Sequence, residues 1–465
     1  MQPLTRRQFV TIAAAVPIAA TVGPLLAAEK SATRPNIVFM FCDDLRYDCI
    51  GASGNDIIHT PHIDSLAERG VFFEKAFVNT AICVTSRASI MTGQYATRSG
   101  LRHGGRGPTK DQLAMTYHGI LRFKGYQVGY VGKYHAGSPP KDLFDYNRAF
   151  PGQGKYKSEE KKHLTARIGD QALEALEQFS KNSGKPFMLT VGFKAPHVQD
   201  GSNPPFYPYD EKLTGHLYQD VVMPPPALDE PEFFQSQPAF IRDPKNLNRK
   251  RWEWRLKGPA QYQNSVKGYY RLVSGVDVVV GRVIKRLEQL GLSDNTILVF
   301  SSDHGVYLGD RGLAGKWLPH EPVIHIPLVI LDPRLPLEQR GTRRTEMALT
   351  IDLAPTFLDW AGIDKTDRMQ GESLAPIVQG RTPADWRTEF FYDHYYSPGC
   401  IPSSEAVRTE EWKYIRYVKR EPLVEELYNL VKDPLEAKNL ATHHEVSEQL
   451  KLMRKKWADW RERVK

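Results

Sequence analysis

Residues 35–44 read Pro-Asn-Ile-Val-Phe-Met-Phe-Cys-Asp-Asp. The apolar run from Pro35 to Phe41 is short and unbroken by polar alternation, the pattern of a buried strand. It stops on Cys42-Asp43-Asp44. Ligand sites in open parallel sheets lie at the carboxyl ends of strands, so this junction of core and charge is a candidate site. The same form recurs downstream. Pro186 to Phe193 is a strand pattern ending in Lys194-Ala195-Pro196-His197, and Thr296 to Ser301 ends in Asp303-His304-Gly305. Tyr126 to Val131 leads into Gly132-Lys133-Tyr134-His135-Ala136-Gly137. Val71 to Phe77 and Pro327 to Leu331 supply further strands.

Between these runs the apolar spacing turns helical. His62 to Arg69 follows Thr60-Pro61, a helix-start signal. Ile168, Leu173, Leu176 and Phe179 share one stripe, as do Val273, Val276, Val280, Ile284 and Leu287, and Asp352 to Trp360 reads as another helix. Alternation of strands and helices predicts an α/β fold: a large, mostly parallel sheet sandwiched by helices, over residues 34–380. Residues 198–260, rich in Pro, Asp and aromatics, read as an ordered insertion over the site. After about residue 380 the texture changes. Glu389 to Tyr392, Ala406 to Thr409, Trp412 to Tyr417 and Leu427 to Leu430 read as short antiparallel strands. A final stripe of Val446, Leu450, Met453, Trp457, Trp460 and Val464 reads as one helix docked on that sheet, making 381–465 a smaller C-terminal domain.

With 465 residues, 41% hydrophobic and 25% charged, the chain is globular in composition and long enough for a substantial core. A net charge of +8 hints at an anionic partner. Nucleic acid is not that partner, because no arginine-rich tract carries interleaved aromatics. Four cysteines are too few for a disulfide framework; a Cys42–Cys49 or a Cys49–Cys400 bridge stays open. Residues 1–28 read as a twin-arginine signal peptide: Thr5-Arg6-Arg7-Gln8-Phe9-Val10, then an apolar run broken by Pro17 and Gly23-Pro24. The expectation is bacterial export through the twin-arginine translocase to the periplasm or beyond, with no stable membrane span.

Asp43-Asp44 after one strand and Asp303-His304 after another make an oxygen-rich site for a divalent cation. The histidine keeps Mn²⁺ and Zn²⁺ open beside Ca²⁺ and Mg²⁺. Residues 83–94 read CVTSRASIMTGQ. If Cys83 opens a helix, Arg87 at i+4 projects from the same face, and the helix N-terminus adds N–H donors for an anion. Taken alone, a single cysteine is more often a small buried hydrophobe. Lys133 and His135, two apart, share a side if extended, and offer a fixed charge and a proton-transfer group. Lys316, soon after the Asp303-His304 loop, adds another cation.

In order, the chain carries PNIVFMFCDD, HTPHIDSLAERGVFF, CVTSRASIMTGQ, GKYHAG, FKAPH, SSDHGVYLGDRGLAGK, and a late VRTEEWKYIRY with ELYNLVKDPLEAKNLA. Together these resemble the type I, formylglycine-dependent sulfatases of the alkaline phosphatase superfamily, from about Pro35 to Leu440. The resemblance implies hydrolysis of sulfate esters by a formylglycine made from Cys83, whose hydrate supplies an oxygen nucleophile. It implies one divalent cation, Ca²⁺ first with Mg²⁺ or Mn²⁺ as alternatives, held by Asp43, Asp44, Asp303, His304 and the modified residue 83. Arg87 and Lys133 are expected to steady the hydrate and His135 to act as the base that releases sulfate. His197 and Lys316 are expected to bind the sulfate, and one of them to protonate the leaving oxygen. A maturase, either formylglycine-generating enzyme or a radical enzyme, is an implied partner. Two positions depart from the pattern: Thr85 stands where the family usually has proline, and His304 where it often has asparagine.

The segment YDHYYSPGCIPSSEAVRTEEWKYIRY is similar to bacterial glycan-sulfate hydrolases, and Trp252, Trp254, Tyr307, Tyr395 and Tyr396 are candidates to stack on sugars. The expected substrate is therefore a sulfated carbohydrate. The alternatives are a phosphonate or phosphodiester hydrolase of the same superfamily and, if Cys83 stays a thiol, a non-catalytic binder of sulfated glycans.

Overall fold

The computed structural model describes residues 34–465 apart from 106, 158–161, 183, 200, 202–205, 397 and 399. The twin-arginine segment lies outside the described residues. Strand β1 (Asn36–Asp43) is buried along its whole length. Its alternate side chains enter two separate cores: Ile37, Phe39 and Phe41 in one, Val38, Met40 and Cys42 in the other. Burial on both faces is why the sequence shows a continuous apolar run instead of alternation.

Around β1 lie β2 (Val71–Phe73), β3 (Gln127–Lys133), β4 (Tyr146–Phe150), β5 (Phe187–Pro196), β6 (Thr296–Ser302), β7 (Val329–Leu331) and β8 (Thr342–Arg344). Among the described residues they form an eight-stranded sheet in the order β8-β2-β7-β6-β1-β5-β3-β4. Only β7 runs antiparallel to its neighbours. The sheet is therefore mostly parallel, as predicted. Among the described residues the helices of eight residues or more are α1 (Pro61–Arg69), α2 (Cys83–Thr92), α3 (Leu164–Ser180), α4 (Leu247–Arg255), α5 (Pro259–Gln289), α6 (Leu353–Trp360) and α7 (Ser447–Arg463). Helices α3 and α5 cover one face through Ile168, Leu176, Val276 and Val280. Helices α2 and α6 cover the other, with Phe39 and Phe357 rings 5.4 Å apart.

The antiparallel sheet β9 (Glu389–His394), β10 (Ser404–Thr409), β11 (Trp412–Tyr417) and β12 (Val424–Asn429) follows in chain order. Helix α7 lies on one face: Trp460 Nε1 donates to Glu389 Oε1 at 2.7 Å and Trp457 Nε1 to Glu405 Oε2 at 2.8 Å. The other face meets the rest of the molecule, with Phe390 stacked on Phe77 at 5.1 Å. Arg34–Lys465 is one compact unit.

Several local expectations change. Helix α5 has 31 residues, twice the visible stripe, because its polar first turns begin at Pro259 in the first helical position. The 71–77 strand breaks in two at Glu74-Lys75. The 198–260 insertion contains short helices, among them α4, capped by the Asn246 side chain accepting from Asn248 N. All four cysteines are free, so neither disulfide forms. Lys133 ends β3, but His135 lies beyond it with a left-handed backbone (φ 49°), so the extended spacing does not relate the two. No helix among the described residues is long and apolar enough to cross a membrane.

One close backbone approach sets where β3 delivers Lys133. Gly132 pairs with Gly192 of β5, has φ 87°, and a Cβ there would stand 2.2 Å from Gly192 O. Gly132→Ala is expected to cost about 2 kcal/mol or more, from the strained backbone and the collision together. Urea unfolding measures it; an unchanged midpoint would show that the strands do not need this approach.

Candidate active site

Adjacent parallel strands bring the acids together. Asp43 ends β1 and Asp303 follows β6, the neighbouring strand. The Asp303 N–H donates to Cys42 O at 3.0 Å, which extends the pairing past the strand end. Asp44 has a left-handed backbone (φ 71°), and the Tyr269 hydroxyl from α5 holds that turn by donating to Asp44 O at 2.6 Å. The turn brings Asp44 N–H within 3.4 Å of Asp303 Oδ1.

Cys83 opens α2, the condition under which Arg87 shares its face. Arg87, one turn on, is 1% exposed. Its Nε donates to Asp303 Oδ2 at 2.8 Å, and its other nitrogens donate to Lys133 O and, at 3.3 Å, to Phe193 O. The guanidinium lies over the Phe41 ring at 4.5 Å. A planar fork of donors suits this task, and it fastens α2 to the ends of β3, β5 and β6. Lys133 is 0% exposed; its ammonium donates to Asp43 Oδ2 and, at 2.6 Å, to Gln153 Oε1. Lys316 Nζ donates to Asp44 Oδ1 at 2.8 Å and to Cys83 Sγ at 3.0 Å.

Ligand-type atoms of Asp43, Cys83, Asp303 and His304 lie within 4.8 Å of one another, and Asp43, Asp44 and His197 form an overlapping group. The donor set fits a divalent cation on three observations. Asp43 Oδ1 is buried and has no hydrogen-bond partner. His304 Nδ1 lies 3.0 Å from Gly305 O and His197 Nδ1 lies 2.7 Å from Val198 O. With protons assigned there, both Nε2 lone pairs face the acids, the arrangement by which backbone carbonyls orient ligating imidazoles. His304 Nε2 is 3.5 Å from Asp303 Oδ1, and His197 Nε2 is 3.7 Å from Asp44 Oδ2. Third, the Lys316 ammonium itself stands in the cluster as a cation, also 3.8 Å from Asp43 Oδ1.

The electrostatics follow from burial among paired charges. Burial alone would raise the Asp43 carboxyl, but Lys133 holds it well below the usual carboxylate range. Burial pushes the Cys83 thiol up, as does Asp43; Lys133 and Lys316 outweigh both and bring it to about 7. Burial lowers the His304 imidazole, yet with no cation to take up its lone pair Asp303 and the Cys83 sulfur raise it to about 9. Burial pushes His197 well below its ordinary value. For His135, burial and then the Lys133 charge push the imidazole down to about 3, and Nδ1 is buried without a partner.

Asp43, Asp44, Cys83, Arg87, Lys133, His197, Asp303, His304 and Lys316 thus meet in one cluster, and His135 feels the charges of Lys133, Asp43, Arg87 and Lys316. Tyr307 is a correction: it is fully buried, bonded through its hydroxyl to His320 Nδ1, and cannot stack on a sugar. Sequence reasoning missed Gln153, Tyr269 and Tyr156, whose hydroxyl donates to His197 O at 2.7 Å. It also missed Asn248, which donates to Lys316 O at 3.0 Å, and Tyr392, which donates to Trp317 O at 2.7 Å. No spacing pattern marks these residues: Gln153 and Tyr156 share the loop after β4, and Asn248, Tyr269 and Tyr392 come from α4, α5 and β9.

The family model described as Sulfatase matches residues 35–363, and one described as N-sulphoglucosamine sulphohydrolase, C-terminal, matches residues 309–463. The N-acetylglucosamine-6-O-sulfatase of Bacteroides thetaiotaomicron is 29% identical, over 92% of this chain and 86% of its own. An arylsulfatase of Clostridium perfringens is 26% identical, over 91% of this chain and 93% of its own. A solved structure in complex with its substrate D-glucosamine-2-N,6-O-disulfate is similar with a TM-score of 0.80 and 27% identity, over 93% of this chain and 98% of that one. The acids at the strand ends, the cysteine that opens its helix and these matches over most of the length agree: the chain belongs to the sulfatase family and is a sulfuric ester hydrolase.

Proposed function

We propose that the protein releases inorganic sulfate from a sulfated carbohydrate, using a formylglycine made from Cys83. The observation that carries this reading is the position of Cys83. It is 3% exposed, at a helix N-terminus, 3.0 Å from the Lys316 ammonium and among Asp43, Asp303 and His304. A structural cysteine gains nothing from such surroundings. Likeness to a glucosamine-directed sulfatase supports the sugar assignment.

Asp43, Asp44, Asp303 and His304 would hold a divalent cation, Ca²⁺ first by their oxygen-rich composition, with Mg²⁺ or Mn²⁺ as alternatives. When bound, the cation would supply Lewis-acid polarisation, and a hydrated aldehyde at residue 83 would supply oxygen for attack on sulfur. The chain's own residues do the rest. Arg87 keeps Asp303 aimed at the cluster. Lys133 fixes Asp43 and places positive charge beside residue 83. His135 is neutral, free to accept the proton whose removal accompanies sulfate release. Lys316, whose ammonium donates to Asp44 Oδ1 at 2.8 Å, and His197, whose Nε2 is 3.7 Å from Asp44 Oδ2, are the two groups placed to protonate the leaving oxygen. Both are also placed to contact the sulfate. Export by the twin-arginine translocase after folding would let a cytoplasmic maturase act on Cys83 first and deliver the enzyme to the periplasm.

In enzyme matured by its host, Cys83→Ala should abolish sulfate release from sulfated saccharides and leave the unfolding midpoint unchanged; normal turnover would remove the proposal. His135→Ala should lower kcat about 10²–10⁴-fold, the usual worth of a general base. In the first turnover of that variant, alcohol release should outrun sulfate release. Loss of both products in step would move His135 out of the sulfate-releasing role.

A further inference from the structure

His394 ends β9 and has no part in the chemistry above. Side chains alternate along that strand. Glu389 faces α7, whereas Phe390, Tyr392 and His394 share the face turned to the large sheet, where the Tyr392 hydroxyl grips Trp317 O beside Lys316. His394 lies within electrostatic reach of His304 and His103. It is 1% exposed, yet neither ring nitrogen has a hydrogen-bond partner. The backbone of Tyr396 approaches the ring without hydrogen-bonding geometry. Its cross-strand neighbour Ser404 is also buried with an unpartnered hydroxyl. Native interiors rarely leave such groups unpaired unless a ligand, ion or water satisfies them.

The surroundings favour a ligand. His103 packs against Tyr396 with ring centroids 4.1 Å apart, and the His103 backbone N–H donates to Thr85 Oγ1, two residues from Cys83, at 3.1 Å. The His103 ring feels the charges of His135 and Lys316, and its Nδ1 is buried without a partner. Tyr396 is 36% exposed. A partly open aromatic pair therefore borders the catalytic cluster on the side where His394 lies. Burial holds the His394 imidazole neutral, pushing it down to about 3. A neutral imidazole presents one donor and one acceptor, which matches a hydroxyl group; a second sulfate would call for donors only.

We propose that His394 reads a hydroxyl group on the sugar that bears the scissile sulfate, with His103 and Tyr396 forming the wall beside that sugar. This rests on the reading of the protein as a carbohydrate sulfate hydrolase. His394 is then a specificity residue, selecting the sugar without taking part in cleavage.

The test compares wild type with His394→Ala, both matured in the host, on three kinds of substrate. These are a sulfated monosaccharide that wild type desulfates, its deoxy analogues lacking one hydroxyl each, and 4-nitrophenyl sulfate. His394→Ala should lose about 10–100-fold in kcat/KM on the sugar and stay within about twofold on the aryl ester, which has no hydroxyl to read. One deoxy analogue should be cleaved poorly by wild type with no further loss in the variant. Equal loss on sugar and aryl ester overturns the proposal in favour of a role in folding, and no loss on the sugar shows that an enclosed water satisfies the ring. If His394→Ala does not fold, His394→Asn carries the same comparison. If neither folds, a wild-type deoxy series with no single loss above about twofold overturns it. Wild type that cleaves 4-nitrophenyl sulfate but no sulfated sugar sinks the carbohydrate reading itself, a distinct outcome.

Discussion

The interaction on which the rest depends is the pairing of buried carboxylates with buried cations at the ends of β1 and β6. Asp43 against Lys133 and Asp303 against Arg87 are fully enclosed ion pairs. Removing such charges from water costs several kcal/mol per ion, and the fold keeps them only because each partner is held in place by further hydrogen bonds. Lys133 O accepts from Arg87 and from the Tyr130 hydroxyl, Asp303 O accepts from the Ser86 hydroxyl at 2.6 Å, and Lys133 also reaches Gln153. A well-packed apolar cluster would serve stability at least as well. What the ion pairs provide is a fixed field around residue 83.

That field explains the division of labour between the two sheets. The large sheet sets the acids at the ends of adjacent paired strands, and charge fixed in place in this way is the usual source of electrostatic catalysis. The small sheet acts on the loop after β6. Tyr392 from β9 and Asn248 from α4 grip the carbonyls of Trp317 and Lys316, and Trp317 has a left-handed backbone (φ 83°) that would otherwise be costly. Further out, the His320 ring lies between the Tyr307 hydroxyl and Glu426 of β12, tying the same loop to the C-terminal sheet. The C-terminal part of the chain thus shapes the site from behind, and its β9 face is the one that carries His394.

Much of this was legible in the sequence, for identifiable reasons. Strands buried on both faces leave unbroken apolar runs, so β1, β5 and β6 stand out, with acids following β1 and β6 and Lys194 and His197 at the end of β5. Cys83 and Arg87 were legible because α2 is a regular helix beginning at the cysteine. The link between Lys133 and His135 assumed an extended chain through both residues, and the strand ends at Lys133. The chain turns at a left-handed His135, which period-two reasoning does not reveal. The first half of α5 was hidden because Gln261, Gln263, Asn264 and Lys267 break the apolar stripe. Gln153 was invisible, and His394 stood unassigned within the segment YDHYYSPGC, for a different reason. Their significance lies in what surrounds them in space, and single residues in irregular or edge segments carry no periodicity.

The central claim is that these acids are assembled to hold one divalent cation beside residue 83. Titration calorimetry of Ca²⁺ into host-made, metal-stripped protein, alongside Asp303→Asn, tests it most directly. The account predicts one saturable site in the wild type, abolished or greatly weakened in the variant. Failure of the wild type to bind Ca²⁺, Mg²⁺ or Mn²⁺, or equal binding by Asp303→Asn, would contradict it.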